Sequence, residues 1–369
     1  MTRYSRRRFL RQLSASAGLL FLSRNSFPFD FSPNEEEAFE MLVVGDSFIW
    51  GQGLREKDKF YYLVKDWLEK EVFGQKRKVN LKVKAHSGAQ IYIHEKQIAE
   101  MQKCGEDVEK FHYAEADLAF PSTTFQIETA YKEYENPANV RLVMISGGIT
   151  DLVVGNTVNP FLRESKMRKM IHNYLHAAMT KLLDHTTEIF PNAYVVVLGY
   201  FPIVSTKSDV NKLTKYLMKI VKFPHFLQFA LTNDFSKQFM KIVRKATAER
   251  SRIWVSESNK ELRDAVKTIN EKCGFSRAIF VESPITEETC FATKKPMLWG
   301  MDKDNKPEDF VYNERKTECP QVFKNIKYKP FGIFSTRLCE LASVAHPNVA
   351  GSIAYSEAIK AKLKIIFQP

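Results

Sequence analysis

The chain has 369 residues, 44% of them hydrophobic, with 15 glycines and 15 prolines. That is enough to close a large core, and no run nears the roughly 18 apolar residues of a membrane-spanning helix. The formal net charge is +12, but residues 1–24 hold six arginines and no acid, which leaves 49 basic against 43 acidic residues in the remainder. So small an excess, with no basic stripe in a recognisable motif, argues against nucleic acid as a partner.

Ser5-Arg6-Arg7-Arg8-Phe9-Leu10-Arg11 precedes the apolar stretch Leu13 to Leu22. A basic start and a short apolar core make a targeting segment. Paired arginines followed by Phe-Leu resemble the twin-arginine export signal of bacteria, which implies a periplasmic or secreted protein. The plainer alternative is a disordered basic arm. Residues 1–24 are read as the signal, 25–40 as a linker and 41–369 as one folded domain.

Met41 to Val44 reads as a short buried strand that runs into the turn Gly45-Asp46-Ser47. Phe60, Leu63, Val64, Trp67 and Leu68 recur at helical spacing. Val79 to Ala85 is a second strand, ending in His86-Ser87-Gly88-Ala89. A helix is expected over Ile91 to Lys103, and another starts at Pro121-Ser122-Thr123. Val140 to Ile145 is a third strand, ending in Ser146-Gly147-Gly148-Ile149-Thr150-Asp151. Arg163 to Phe190 is a long helix stopped by Pro191. Ala193 to Leu198 is a fourth strand, Ala278 to Val281 a fifth, and Asn348 to Leu363 a final helix. Strands alternating with helices predict a three-layer α/β fold around a parallel five-stranded sheet. Such crossovers put every strand's carboxyl end on one edge, where ligands bind. That edge would receive Ser47, Gly88 and Thr150.

Two regions depart from the alternation. Residues 205–250 read as a helical insert of two amphipathic helices, and residues 201–250 carry ten basic and three acidic side chains. The insert is either ordinary surface packing or a cap that touches an anionic surface. Residues 283–330 show little periodicity and read as a long ordered loop. Of the five cysteines, Cys104, Cys273, Cys290, Cys319 and Cys339, none forms a Cys-x-x-Cys pair. No zinc or redox motif is indicated. Export would permit disulfides; Cys319 with Cys339 is the preferred pair, and an odd count leaves at least one thiol unpaired.

Hydrolysing an ester through serine needs a nucleophile, a base, a group that orients the base and donors for the oxyanion. Ser47 is the candidate nucleophile. His346, in Ser343-Val344-Ala345-His346-Pro347-Asn348 just before the last helix, is the candidate base. Together these stretches resemble the SGNH (GDSL-type) hydrolases. Gly45-Asp46-Ser47 looks like the first block of that family, Gly88 the second, Gly148-Ile149-Thr150-Asp151 the third and His346-Pro347-Asn348 the last. Trp50-Gly51-Gln52-Gly53-Leu54, His86-Ser87-Gly88-Ala89, Pro121-Ser122-Thr123 with Gln126, and Gly199-Tyr200-Phe201-Pro202 look like a long extracellular bacterial branch. The resemblance implies a flavodoxin-like sheet and acyl-ester hydrolysis without metal or cofactor. Ser47 would attack, His346 would act as base and then acid, and the N–H groups of Ser47 and Gly88 would hold the oxyanion.

Two positions depart from the pattern. Thr150 stands where the third block has asparagine as a side-chain oxyanion donor; losing such a donor costs on the order of 100- to 1,000-fold in rate. Ser343 stands where an aspartate precedes the histidine by three, so Ser343 or a backbone carbonyl is left to orient the ring. Asp46 and Asp151 read as structural. His172 and His176, four apart on a helix, could share a metal or simply face solvent; His86 could line the site or pack its loop. Trp50 and Tyr200 are site walls or core. The expected substrate is a small or polymeric ester, either an acylated carbohydrate or a lipid-like ester. An acyltransferase acting on a glycan and a binding protein that has lost activity are the rival readings.

Overall fold

The computed structural model of the chain describes residues 38–213, 234–304, 306–328 and 334–367. The segments expected to be an export signal and, nearly all of it, a linker, together with residues 214–233 of the expected insert, lie outside the described residues.

The described residues form one sheet of five parallel strands: β1 (Phe39–Val44), β2 (Val79–Val83), β3 (Val140–Ile145), β4 (Tyr194–Leu198) and β5 (Ala278–Val281). Their spatial order is β2-β1-β3-β4-β5, the flavodoxin-like order with its switch point between β1 and β3. Burial follows position. The inner strands β1, β3 and β4 are almost wholly buried, as near-continuous Val, Ile and Leu runs require when both faces are covered. The edge strands β2 and β5 are half-buried.

The helices follow in chain order. α1 (Ser47–Trp50) is a single turn, α2 (Phe60–Trp67) continues into a π-helical turn, and α3 (Glu95–Lys103) and α4 (Thr123–Glu133) precede β3. α5 (Glu164–Ile171), a π-helical segment (His172–Ala178) and α6 (Met179–Ile189) together fill the long helix expected before β4. α7 (Asp234–Cys273) crosses to β5, and α8 (Tyr312–Asn325), α9 (Phe334–Glu340) and α10 (Val349–Phe367) complete the chain. α2 and α10 pack together in one layer, while α4, α6 and α7 pack in the other.

Three expectations are corrected here. The helix expected from Ile91 begins only at Glu95. The Ile91 N–H donates to Asp151, and the Ile91 carbonyl accepts from the N–H and hydroxyl of Thr124, so that backbone is taken. The second half of the insert expected over 205–250 is instead the start of α7, a crossover helix that continues to Cys273. Its apolar period is broken beyond Arg250 by inward-facing polar residues. Ser251 accepts from the Ile203 and Val204 N–H groups, and Asn259 pairs with both backbone groups of Tyr200. Finally, the loop expected over 283–330 contains α8, whose buried residues are Arg315, Cys319 and Val322. That spacing is helical, but an arginine and a cysteine supply two of its three members. The disulfide Cys319–Cys339 joins α8 to α9.

Candidate active site

β1 ends at Val44, and the chain turns sharply through Gly45, whose φ is +136°. A Cβ there would stand 2.2 Å from the Ser146 carbonyl oxygen, so only glycine fits. Gln126 clasps this residue: its Oε1 accepts from the Gly45 N–H at 2.7 Å and its Nε2 donates to the Gly45 carbonyl at 3.1 Å. Asp46 caps α1, accepting from the Phe48 N–H at 3.1 Å. The same carboxylate accepts from Ser146 Oγ at 2.5 Å and from Tyr200 OH at 2.8 Å. Burial pushes the Asp46 carboxyl up from its ordinary range, against the pull of these donors. Asp46 thus ties the ends of β1, β3 and β4 together. Beneath α1 the Phe48 ring meets Tyr355 at 4.9 Å, Phe201 at 5.3 Å, Phe60 at 5.7 Å and Tyr200 at 5.8 Å between centroids.

This scaffold holds Ser47, only 6% exposed, so that its hydroxyl lies in hydrogen-bonding contact with His346 Nε2 at 2.7 Å. The two residues are 299 positions apart in sequence. The segment carrying His346 lies antiparallel to residues 297–299. Trp299 N–H donates to the His346 carbonyl at 2.8 Å, Ala345 N–H to the Trp299 carbonyl at 3.0 Å and Asn348 N–H to the Met297 carbonyl at 2.9 Å. Ala345 adopts φ +67°, a left-handed conformation that costs a residue with a Cβ and persists only where its surroundings impose it. Burial first, and then the charge of Arg315, hold the His346 ring down to about 4, while the carbonyls of Val344, Ser343 and Ala342 oppose both. The imidazole is therefore a neutral base at pH 7. Its Nδ1 closes no hydrogen bond of standard geometry among the described residues.

Gly88 lies just past β2, two residues beyond His86, whose N–H donates to the Gly45 carbonyl at 3.0 Å. Gly88 has φ +79°, and a Cβ on it would come within 2.4 Å of Asp117 Oδ1 and 2.5 Å of the Leu118 nitrogen. Of the other sequence candidates, Thr150 and Ser343 are placed differently from expectation, whereas Asp151, His86 and Tyr200 take structural places that the sequence reading allowed. Thr150 adjoins the Gly88 loop, but its hydroxyl donates to the Ala89 carbonyl at 2.6 Å and so is already committed. The Ser343 hydroxyl is committed to other partners: it donates to Asp309 Oδ2 at 2.5 Å and accepts from Arg315 at 2.9 Å. Asp151 receives the Ile91 N–H, and burial pushes its carboxyl up to about 7. His86 is buried, its Nδ1 on the Ser87 carbonyl at 2.8 Å, so it packs the loop. Tyr200 is core. His172 and His176 stack at 5.1 Å with Glu261 beside them; no group of three or more His, Cys, Asp or Glu is arranged to hold a metal among the described residues.

Sequence reasoning missed a buried ion cluster. Arg315, fully buried, donates to Glu115 at 2.8 Å, to Asp309 at 2.5 Å and to the Glu340 carbonyl at 3.3 Å. Burial alone would lower its pKa, but the two carboxylates outweigh it and the net shift is upward. Glu115 also accepts from Trp50 Nε1 at 2.8 Å and from the Gly53 N–H at 3.2 Å. Lys59 lies 3.1 Å from the Trp50 ring centroid, and burial lowers its ammonium to about 8 despite nearby Glu115 and Glu56. Nothing local in sequence marks these residues, because their partners are up to 200 positions away.

No family model matches the chain, and no curated protein does. Among solved structures it is similar to the extracellular lipase from Streptomyces rimosus, at 13% identity over 88% of this chain and 99% of that one, with a TM-score of 0.42. The phospholipase A1 from Streptomyces albidoflavus NA297 matches at 12% identity over 88% and 100%, with a TM-score of 0.44. The Clostridium thermocellum family 3 carbohydrate esterase matches at 12% identity over 90% and 98%, with a TM-score of 0.36.

Proposed function

We propose that the chain is an exported serine ester hydrolase of the SGNH type. The observation that carries this reading is the 2.7 Å hydrogen bond from the Ser47 hydroxyl to His346, at the carboxyl edge of a flavodoxin-like sheet. In the proposed cycle His346 Nε2 takes the Ser47 proton as Oγ attacks the ester carbonyl. The tetrahedral oxyanion is received by the N–H groups of Ser47 and Gly88. His346 then protonates the departing alcohol, and water repeats the sequence on the acyl-enzyme.

Two surface features bear on substrate and setting. The loop after β3 exposes Val153, Val154 and Phe161, the last at 86%. An apolar lip on this edge favours a lipid-like acyl chain over acetyl. The ten basic residues within 201–250 support contact with an anionic surface, and the Cys319–Cys339 disulfide suits an oxidising compartment. The committed hydroxyl of Thr150 is the one observation favouring the rival reading, a site that binds esters without turning them over.

A chain-length series of nitrophenyl esters tests the proposal on wild type, Ser47→Ala and His346→Ala. Long chains should be preferred, and each variant should lose roughly 10⁴-fold or more in kcat. A fluorophosphonate probe should label the wild type and not Ser47→Ala. Folded wild type that neither labels nor hydrolyses any chain length would leave the binding reading standing.

A further inference from the structure

We propose that Arg315, Glu115 and Asp309 form a positioning cluster that fastens the serine turn and the histidine turn to one guanidinium. In it Asp309, acting through Ser343, takes the place of the acid that SGNH hydrolases carry three residues before the histidine. This rests on the ester-hydrolase reading of the same site.

The geometry is two-armed. On the serine arm, Glu115 holds Trp50 Nε1 and the Gly53 N–H, and its own carbonyl accepts from Gln52 Nε2 at 2.9 Å. These three residues lie three to six positions after Ser47. On the histidine arm, Asp309 holds the Ser343 hydroxyl, and the Ser343 carbonyl accepts from the His346 N–H at 2.9 Å. Arg315 donates to both acids and to Ser343 Oγ. Gly53, at φ +83°, closes the gap between the arms: a Cβ on it would stand 2.7 Å from Asp309 Cβ and 2.8 Å from Ser343 Cβ. The side chains of Arg315 and Asp309 are fully buried and that of Glu115 is 4% exposed.

A buried ion cluster is weak evidence for stability, because apolar residues of the same volume often serve as well. Here both of its acids are spent on the turns that carry the reacting atoms. It also meets a charge requirement of the reaction. His346 becomes a cation when it takes the Ser47 proton, and Arg315 opposes that charge. Asp309 and Glu115 offset Arg315, with Lys59 beside Glu115 and Glu56 beside Lys59. Removing the carboxylate charge at Asp309 should therefore both loosen the histidine turn and make the imidazolium harder to form.

The test compares Asp309→Asn, Ser343→Ala and the double variant Asp309→Asn with Ser343→Asp, which moves one carboxylate to the family's usual position. Asp309→Asn should lower kcat roughly 100-fold with little change in KM, the scale expected when a catalytic group is slightly misplaced. The acid limb of its pH–rate profile should move below the wild-type value near 4. Ser343→Ala keeps both ion pairs and removes the bonds of the Ser343 hydroxyl to Asp309 and Arg315, so it should fold and lose roughly tenfold. The double variant should recover part of the kcat lost in Asp309→Asn. Wild-type kcat and pH profile in Asp309→Asn or Ser343→Ala would overturn the proposal, as would a loss that the double variant does not recover. Titration of the His346 ring by NMR separates this outcome from failure of the ester-hydrolase reading. The downward shift in Asp309→Asn is expected whether or not the wild type turns over an ester.

Discussion

The turn that carries Ser47 rests on strand ends and a floor of aromatic rings, whereas the turn that carries His346 hangs from a short antiparallel pairing and a buried ion cluster. On the serine side the constraints are mostly backbone and packing: Gly45 in a conformation open to glycine, Gln126 on both of its backbone groups, Asp46 on three donors. On the histidine side they are side-chain charges reached across the molecule, and Ala345 sits in a left-handed conformation. A serine on a sheet edge can take its position from the fold. A histidine on a late loop needs an added frame, and α8 with α9 provides it.

Variants that break one side at a time should expose this difference. Gly45→Ala forces a Cβ to within 2.2 Å of the Ser146 carbonyl at φ +136°. Backbone cannot give way there as a flexible side chain would, so a loss of about 3 kcal/mol or more is expected. Urea denaturation would read it, and a midpoint within error of wild type would mean that the turn yields to the extra methyl. The corresponding break on the histidine side is Cys319→Ser. Cys319 lies one turn beyond Arg315 on α8, and its disulfide spans 20 residues. Opening a loop of that size should cost about 3 kcal/mol. Unchanged stability on reduction would show that the ion cluster holds α8 to α9 without it.

The same contrast explains what can be read from the sequence. All five strands are legible: four are short apolar runs and β2 alternates apolar with polar residues, and their order on the sheet agrees with the flavodoxin-like expectation. Gly45-Asp46-Ser47 and His346-Pro347-Asn348 stand out as residue types in a fixed order, and the fold brings them to hydrogen-bonding distance. The Cys319–Cys339 pair agrees with expectation as well. What escapes is wherever polar residues face inward. Ser251 and Asn259 disguise the part of α7 beyond Arg250, and Arg315 disguises α8. The roles of Thr150 and Ser343 escape for a related reason: a hydroxyl's partner is settled by geometry, and here the partners are Ala89 and Asp309.

Asp151 offers the finest probe of the serine side. Its carboxyl is buried under the Ile91 N–H and is pushed up to about 7 from 3.8, by burial first and then by nearby Asp46. A carboxyl raised on folding is held more readily as the neutral acid. Its contribution is therefore most favourable below the unfolded value near 4 and is lost as pH rises through about 7. Asp151→Asn keeps an acceptor for Ile91 and removes the titration. Between pH 5 and about 7 the folded wild type holds a proton that the unfolded chain has released, and each pH unit there is worth about 1.4 kcal/mol. Relative to wild type, Asp151→Asn should therefore gain about 2.5 kcal/mol from pH 5 to pH 8, read as the difference in urea midpoints at the two pH values. A gap between variant and wild type that does not change with pH would mean that Asp151 is ionised in the folded protein. The loop after β3 would then be held by charge, as the histidine turn is, and the contrast between the two sides would narrow.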